Sequence, residues 1–425
     1  MRTKRVMMVA VMAAILGGPT AVPTMADALS LSVDNVTFRQ RYPWNGLVDI
    51  DCDVTCSDPD ANISLCVSAK DTAANKLLAV RSIWLEGDAT HTNALEVKSG
   101  THRLVWDAGK DNPNFVGDAV TVDVRALLGT GLYLVIDLSG GKDAASYPVS
   151  HLGAEPQGGW TDEYKTTKLV LRRIQPGTFE MGGSYDVTIS KPFYIGVFQV
   201  TQRQYELVTG SRPSFFSNET YYATRPVERV SYSMIRGSSS GAGWPSSSAV
   251  DASSFMGMLQ AKTGMEGLDL PTEAQWEYAC RAGTTTHYNN GKNYTNSNQD
   301  AVVDEVGRYW YNGGSGYSSS YTPASGTAAV GSYLPNEWGL YDMHGNVWEW
   351  CLDWYGSLTS EVVDPTGSST GTGRVLRGGS WFAHAGNCSS SFRYGEDPSS
   401  DFDDIGFRIC CAAGQPRVSE SSSNQ

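Results

Sequence analysis

The residues of this chain best suited to chemistry lie close together near its C-terminal end. Ser380, His384 and Cys388 supply a hydroxyl, an imidazole and a thiol within the string SWFAHAGNC. A thiolate can bind a soft metal such as Cu(I) or act as a nucleophile, but a neighbouring base or cation must first lower the pKa of the thiol. The sequence places no such group beside Cys388. The alternative is a buried thiol or one half of a disulfide.

Four sequence motifs contain or flank these residues. They are LPTEAQWEYACRAG at 270–283, GLYDMHGNVWEW at 339–350, RVLRGGSW at 374–381 and GFR at 406–408. Together they resemble the formylglycine-generating enzyme family, also called the sulfatase-modifying factor family, over roughly residues 165–412. The resemblance implies a complex α/β fold of the C-type-lectin-like kind with little regular secondary structure. It also implies bound calcium. The activity it implies is that of an oxidase, in which two cysteines hold Cu(I) and a Cys of a sulfatase peptide is converted to formylglycine.

The sequence departs from this family at the copper site. Three positions match the family's catalytic residues, namely Ser380, His384 and Cys388. Ala383, however, stands where the first thiol is expected. Two thiolates can hold Cu(I) linearly, and one cannot do so alone. Copper is therefore expected as a cofactor only if Cys410 or Cys411 supplies the second sulfur.

The segment at 382–405, between RGGSW and GFR, has the composition of a binding loop. Phe, Ala, His, Ser, Tyr, Gly and Asp occur without periodicity, and Lys, Gln, Met and Trp are absent. The segment resembles the variable region of proteins that retroelements diversify on the same scaffold, although Glu396 is not reachable from the randomised codons. Aromatic and small polar residues on a rigid frame make an adaptable contact surface. The candidate contacts are Phe382, Ala383, His384, Phe392, Tyr394, Phe402, Asp403 and Asp404, each of which could instead be an ordinary loop side chain.

Two functions follow from these observations. In the first, the remodelled catalytic cleft binds a protein or glycan ligand. In the second, the chain is a formylglycine-generating oxidase that acts on a sulfatase-type Cys peptide. The missing thiol favours the first.

A calcium site is a further expectation from the resemblance. Asn346 and Glu349 within GNVWEW match a motif that contributes oxygen ligands in the family, and hard oxygen donors in a turn suit Ca²⁺. The alternative is that Asn346 caps a turn and that Glu349 pairs with an arginine.

Local signals predict the elements that position these residues. Thr201 and Gln204 form a capping box for a helix that stops at Gly210. Apolar residues repeat at helical spacing from Ala252 to Leu259, which predicts a helix that begins after Ser248 and ends at Gly264. A third helix is predicted from Thr272 to Gly283. The stretch at 339–355 has neither a helical nor a strand period, so it predicts a buried, irregular backbone.

The domain organisation is read from composition and patterning. Arg2, Lys4 and Arg5 precede a short apolar run and an A-x-A site, which predicts a signal peptide at 1–28. Short alternating runs, such as Val48 to Cys56, predict an all-β, sandwich-like accessory domain at 29–130. A linker and strand region follows at 131–164, with the linker at 139–164 or just before it. The family-like domain occupies 165–412, and a disordered tail is predicted at 413–425.

The bulk properties exclude some classes of partner. A net charge of −13 and a pI near 4.9 argue against nucleic acid, because no basic stripe could offset the phosphates. No stretch reaches the length of a transmembrane helix. The protein is therefore expected in the periplasm, on the cell surface or secreted. Eight cysteines in an exported chain permit disulfides, with Cys66 as a possible partner of Cys52 or Cys56.

Overall fold

The computed structural model describes residues 31–412, except for 44, 58–62, 74–75, 79, 81, 89–94, 114, 116–118, 129–131, 153–154, 157, 315–324 and 361. A few residues, including Cys66, are described by their backbone alone. The predicted signal peptide at 1–28 and the predicted tail at 413–425 lie outside the described residues. The chain divides into two compact units, residues 1–129 and 130–425.

The first unit consists of antiparallel strands and one short helix. The elements are β1 (Leu31–Gln40), β2 (Leu47–Cys56), β3 (Ile63–Asp71), β4 (Lys76–Leu78), β5 (Ile83–Leu85), β6 (Glu96–Val97), β7 (Gly100–Asp107), α1 (Ala108–Asp111) and β8 (Val120–Leu128). One sheet has the order β1-β2-β7-β5, and in the other β3 pairs with β4, β6 and β8. Buried side chains from both sheets form one hydrophobic cluster.

The alternation predicted for β2 is confirmed. Val48, Ile50, Cys52, Val54 and Cys56 are all buried, and they belong to the hydrophobic cluster of this unit. Both cysteines are free thiols. The disulfide considered for one of them is therefore not formed.

The second unit contains thirteen strands and five α-helices among the described residues. The strands are β9 (Tyr133–Asp137), β10 (Val149–Leu152), β11 (Lys168–Ile174), β12 (Gly177–Met181), β13 (Tyr185–Ile189), β14 (Phe193–Gly196), β15 (Leu268–Asp269), β16 (Trp348–Trp354), β17 (Val362–Val363), β18 (Arg374–Arg377), β19 (Arg393–Glu396), β20 (Ile405–Gly406) and β21 (Cys410–Ala412). The helices are α2 (Glu163–Thr166), α3 (Gln202–Thr209), α4 (Tyr232–Arg236), α5 (Phe255–Thr263) and α6 (Glu273–Arg281). Much of the remaining backbone is irregular, as the mixed fold class predicts.

Three sheets organise this unit. The largest has the order β10-β9-β11-β14-β21-β15, a second has the order β12-β13-β17, and a third has the order β19-β18-β16-β20. Strands β9 and β10 come from the segment at 131–164 and are hydrogen-bonded into the largest sheet. The stretch at 139–164 is therefore part of this unit and not a linker, and the division between units lies just before it, at 129/130.

The helix signals were accurate where side chains cap the backbone. Thr201 with Gln204 and Thr272 with Gln275 form complete capping boxes at the starts of α3 and α6. Helix α5 begins later than predicted, because Ser254, and not Ser248, accepts the capping hydrogen bond from the backbone N–H of Gly257. Within the described ranges, no helix combines the length and the apolar character that a bilayer crossing requires.

The sheet β19-β18-β16-β20 positions the candidate site. Residues 339–347 approach it with irregular backbone, as predicted, but Trp348–Trp354 forms strand β16. The prediction of irregular backbone was wrong for this strand because its central five residues are all buried, so no alternation marks it. The RGGSW string leaves the sheet at the end of β18 and leads into the loop that carries Cys388.

Candidate functional site

Two consecutive glycines turn the chain out of β18 and into the loop. Gly378 and Gly379 have positive φ angles of 92° and 76°, a region that glycine enters without strain. A Cβ on Gly379 would lie 2.5 Å from the Sγ of Cys388. The second glycine is therefore required both by the turn and by the close approach of the thiol.

Cys388 lies at the end of a 3-10 helix, Ala385–Cys388, and its side chain is fully buried. It belongs to a small hydrophobic cluster with Tyr288, Val306 and Tyr309, and Ala383 packs against the same cluster. Burial raises the pKa of the Cys388 thiol to about 12. The thiol is therefore protonated at neutral pH, and the methyl group of Ala383 lies against the cluster that contains it.

Among the cysteines whose side chains the structure describes, no second thiol completes a copper site. All seven cysteines whose side chains are described are free. The Cys410 thiol donates to the Oε1 of Gln275 at 3.6 Å, and the Cys411 thiol donates to the carbonyl oxygen of Ala412 at 3.5 Å. Both lie on β21, in hydrophobic clusters other than that of Cys388. The residues present do not fit Cu(I).

The side chains of Ser380 and His384 have partners other than the Cys388 thiol, which is hydrogen-bonded to the Ser380 backbone. The buried Ser380 hydroxyl donates to the Oδ2 of Asp404 at 2.8 Å. His384 is exposed, and its ring lies 5.9 Å from that of Tyr311. The three family positions are close in sequence, but the structure does not assemble them into one catalytic group.

His344 is the partner of this loop that the sequence reasoning missed. Its buried ring donates from Nδ1 to the carbonyl oxygen of Cys388 at 2.8 Å and accepts from the backbone N–H of Asn289 at Nε2, at 3.0 Å. The thiol of Cys280 lies 3.8 Å from the same Nε2. Burial lowers the pKa of His344 to about 4. A neutral imidazole therefore fixes the Cys388 turn. The place of His344 within the GLYDMHGN motif was the sequence feature from which it could have been predicted.

The candidate contact residues divide between two aromatic clusters. In the first, Phe382 meets Trp310 edge to face at 4.7 Å, and His384 lies beside Tyr311. The backbone N–H of Trp310 donates to the carbonyl oxygen of Ala383 at 2.9 Å, which joins the two loops. Phe382 is 51% exposed. Trp310 and Tyr311 were not predicted as contacts.

The second cluster lies on the sheet. The Trp348 ring is 5.9 Å from Phe392 and 6.1 Å from Tyr394, and Tyr394 is 49% exposed. Phe402 is 54% exposed, and its carbonyl oxygen accepts a hydrogen bond from the backbone N–H of Arg229. The predicted contacts thus share one region of the unit.

Asp403 and Asp404 connect the two clusters. The carbonyl oxygen of Asp404 accepts from the backbone N–H of Trp348 at 2.8 Å, while its carboxylate accepts from Ser380. The carbonyl oxygen of Asp403 accepts from the indole Nε1–H of Trp381 at 3.0 Å. Burial raises the pKa of Asp404 to about 6, with Asp403 and Glu396 adding to the rise and Ser380 opposing it. Asp404 is therefore mostly ionised at neutral pH.

The two residues predicted to bind calcium have different surroundings. Asn346 has a left-handed backbone, and its amide exchanges two hydrogen bonds with the backbone of Ala328. It fixes a turn, as the alternative held, and its role as a calcium ligand stays a prediction. Glu349 is buried and paired with Arg408, with Nε–Oε2 and Nη2–Oε1 distances of 2.6 and 2.7 Å. This pairing also matches the alternative, but Glu349 has further oxygen neighbours.

A group of oxygens surrounds the side-chain nitrogen of Gln199. This buried Nε2 lies 3.0–3.3 Å from the Oε1 of Glu349 and the carbonyl oxygens of Asp342, Gly345 and Val347. Two buried oxygens beside it, Oε1 of Gln199 and Oδ1 of Asp342, have no hydrogen-bond partner. We name these groups the oxygen cage.

The oxygen cage has the donor chemistry of a calcium site. Hard carbonyl and carboxylate oxygens suit Ca²⁺, and a half-turn of the Gln199 amide would direct Oε1 inward. In the described part of the chain, no three His, Cys, Asp or Glu side chains gather as a metal-binding group. Any ion here would therefore depend mainly on carbonyls and on Asp342 and Glu349.

The chain is similar in sequence to several known proteins. Residues 161–413 match the family described as Sulfatase-modifying factor enzyme 1-like domain. A formylglycine-generating enzyme of Streptomyces coelicolor is 40% identical over 33% of this chain and 46% of its own length. The chaperone protein LppX of Paenibacillus barcinonensis is 30% identical over 57% of this chain and 88% of its own length.

A solved structure, Treponema denticola variable protein 1, is 27% identical and covers 58% of this chain and 96% of its own, with a TM-score of 0.42. The chain spans about half the length of the first formylglycine-generating enzymes that it matches. The family match extends over more than half of the chain and includes every element of the site described above. The chain therefore belongs to the sulfatase-modifying factor enzyme 1-like family.

Proposed function

We propose that this chain is an exported binding protein in which the loop at 382–405 contacts a protein or glycan ligand at the family's former copper site. The observation that carries the proposal is the relationship between Ala383 and Cys388. A soft-metal site needs two sulfurs, and here one sulfur is buried and protonated, while the methyl group of Ala383 packs against the cluster that contains it.

Binding is supported by the surface that the loop presents. Phe382, Tyr394 and Phe402 are about half exposed, so their rings are available to a partner. Hydrogen bonds from Trp310, Trp348 and other framework residues hold the backbone of the loop. A rigid frame that displays aromatic side chains loses little entropy on binding. The relative named as a chaperone protein, matched over most of its length, is a further reason to favour a protein-binding role.

An oxidation assay tests the proposal against the enzyme alternative. The purified protein is supplied with Cu(I), a reductant, oxygen and a peptide that contains C-x-P-x-R, with a Cys→Ser peptide as control. We expect neither oxygen uptake above the control nor an aldehyde in the peptide. Repeated turnover of the Cys peptide to an aldehyde would show that the protein is an oxidase.

Diversification of the loop by a retroelement is a narrower form of the proposal. It requires a reverse transcriptase gene near the coding sequence and a template copy of the region that encodes residues 374–408. An intact gene neighbourhood without either would remove this form and leave the binding proposal in place.

Export, an accessory role for the first unit and calcium binding complete the proposal. The signal peptide at 1–28 would export the chain, and the first unit would serve as a sandwich-like accessory domain. Ca²⁺ would bind in the oxygen cage, through Asp342 and Glu349 and the carbonyls of Gly345 and Val347. Its role there would be to neutralise buried carboxylate charge and to fix the turn before β16.

A further inference from the structure

A cavity of about 350 Å³ lies between helices α3, α4 and α5 of the second unit. Its lining comes from the end of α3, from α4 and the residues that follow it, and from the start of α5. Pockets that bind small molecules have volumes of about 300–1,000 Å³. The cavity therefore has room for a small molecule. None of its lining residues belongs to the loop at 382–405, so it is separate from the surface proposed above.

The buried part of the lining is apolar. The rings of Tyr205 and Phe255 are buried and stack in parallel, with their centroids 5.3 Å apart. Met234 and Met258 also line the cavity, and they are partly buried and pack against the same hydrophobic core. Aromatic rings and thioethers make favourable apolar contacts. This part of the cavity can therefore pack against carbon-bound hydrogens of a ligand.

The rest of the lining is rich in hydroxyl groups. They belong to Thr209, Ser211, Ser233, Ser238, Ser253 and Ser254. Ser233 and Ser254 donate their hydroxyl hydrogens to backbone carbonyl oxygens, at 3.2 and 2.7 Å, so their oxygens are left to accept. Ser238 and Ser253 are exposed, and their hydroxyls can rotate to donate or to accept. A ligand with hydroxyl groups of its own, which both donate and accept, matches this lining.

The only charged side chain in the lining is that of Asp251. Its carboxylate accepts from the backbone N–H groups of Ser239, Ser240 and Gly241 at 2.6–3.2 Å. These hydrogen bonds lower the pKa of the Asp251 carboxyl, so the group is ionised at neutral pH. An anionic ligand would meet like charge with no Lys or Arg in the lining to offset it. Because backbone groups already satisfy the carboxylate, it is also a weak anchor for a cation. The lining therefore favours an uncharged ligand.

We propose that this cavity binds a neutral sugar ring. A six-membered sugar has hydroxyl groups around its edge, carbon-bound hydrogens on its faces and no charge, and the lining offers a matching group for each. The hydroxyls would form hydrogen bonds with the serines, and one face would lie against Met234 and Met258. This inference goes beyond the proposed function and does not depend on it.

Ligand-detected NMR with the full chain and a fixed set of probes tests the inference. The neutral probes are the methyl glycosides of glucose, galactose, mannose and N-acetylglucosamine. Methyl glucuronide supplies a similar ring with a negative charge, and cyclohexylmethanol supplies a ring of similar size with one hydroxyl. We expect at least one neutral glycoside to bind with a dissociation constant on the order of 1 mM, as is usual for so small a ligand. The two comparison probes should bind about tenfold more weakly or worse.

Variants of one serine locate the binding site. Ser253→Leu places a larger apolar side chain in the lining and should weaken binding of the glycoside about tenfold or more. Ser253→Ala removes only the hydroxyl and should weaken binding about fivefold. Ser246→Leu is the matched control, because Ser246 is equally exposed but lies outside the lining, and it should not change the affinity. Both positions are exposed, so the melting temperature should be the same in all three variants.

Three results would overturn the inference. The first is no binding of any neutral glycoside at concentrations on the order of 10 mM. The second is binding of a glycoside to Ser253→Leu as tightly as to the wild type, which would place the sugar elsewhere. The third is binding of methyl glucuronide or cyclohexylmethanol as tightly as the best neutral glycoside. Each of these leaves the proposed function standing, because no residue of the loop at 382–405 lines the cavity.

Discussion

Arg408 and Glu349 form an ion pair from which water is excluded, at the centre of the second unit. Both side chains are fully buried, and the guanidinium also donates to the carbonyl oxygens of Gly196 and Tyr341. The pair joins GFR to GNVWEW, so two strings that are distant in sequence meet at one contact. Its neighbours, Gln199 and Trp276, donate to the same carboxylate.

Removing one member of this pair should strongly destabilise the fold. Arg408→Met leaves the Glu349 carboxylate buried without its cation, which costs about 3–5 kcal/mol of unfolding free energy. Denaturant titration measures this loss. Glu219→Gln, which removes the charge of the exposed partner of Arg212, should cost less than about 1 kcal/mol. Similar losses in the two variants would refute a special role for the buried pair.

Gly379→Ala should destabilise the loop that carries Cys388. The new Cβ would enter a left-handed backbone and lie 2.5 Å from the Cys388 sulfur, and together these effects cost about 2–4 kcal/mol. Gly183→Ala is the matched control, since its φ is 77° and no atom lies within 4 Å of its added Cβ. Thermal unfolding should show a clearly larger loss for Gly379→Ala. Equal losses would mean that backbone strain alone matters.

His344 should make the stability of the unit depend on pH. Its pKa is about 4 in the folded chain and about 6.5 when unfolded, so the unfolded state takes up protons first as pH falls. The stability contributed by the neutral ring is present above about pH 6.5 and is lost towards pH 4, by on the order of 3 kcal/mol.

The difference between wild type and His344→Asn isolates this effect from other titrating groups. Unfolding free energies are measured for both proteins across this pH range. The advantage of the wild type should shrink as pH falls from about 6.5. An advantage that is constant with pH would show that the imidazole is charged or exposed.

Calcium should raise the melting temperature if the oxygen cage binds it. Asp342→Ala removes the carboxylate with the unpaired Oδ1 and should abolish the calcium-induced shift. Asp353→Ala removes an equally buried carboxylate from the other end of β16 and should keep the shift, although both variants are less stable. Comparing each protein with and without Ca²⁺ cancels that loss. If Ca²⁺ does not shift the melting temperature of the wild type, the oxygen cage does not bind calcium.

Sequence patterns were informative where a few neighbouring residues determine the structure. The capping boxes of α3 and α6 and the alternation of β2 involve contacts within a single element, so they could be predicted. Strand β16 could not, because burial of its central residues on both faces leaves no alternation. The start of α5 was misplaced, because several serines precede it and only the fold selects Ser254 as the cap.

The exposed residues of the loop at 382–405 could be predicted from the sequence, whereas the residues that support the loop could not. The composition of residues 382–405 identified the exposed aromatics Phe382, Tyr394 and Phe402. The contributions of Trp310 and His344 depend on contacts across more than forty residues of sequence, and the only local sign of either is the place of His344 within GLYDMHGN. The partner of the Asn346 amide was unpredictable for the same reason, since only the fold places Ala328 against it.

The most direct measurement of the central claim is a Cu(I) titration against a competing chelator, with wild type, Ala383→Cys and Cys388→Ser compared. A lone buried thiol should not compete for the metal, so we predict no tight Cu(I) binding by the wild type and one bound Cu(I) in Ala383→Cys. Tight binding of one Cu(I) by the wild type, lost in Cys388→Ser, would contradict the account.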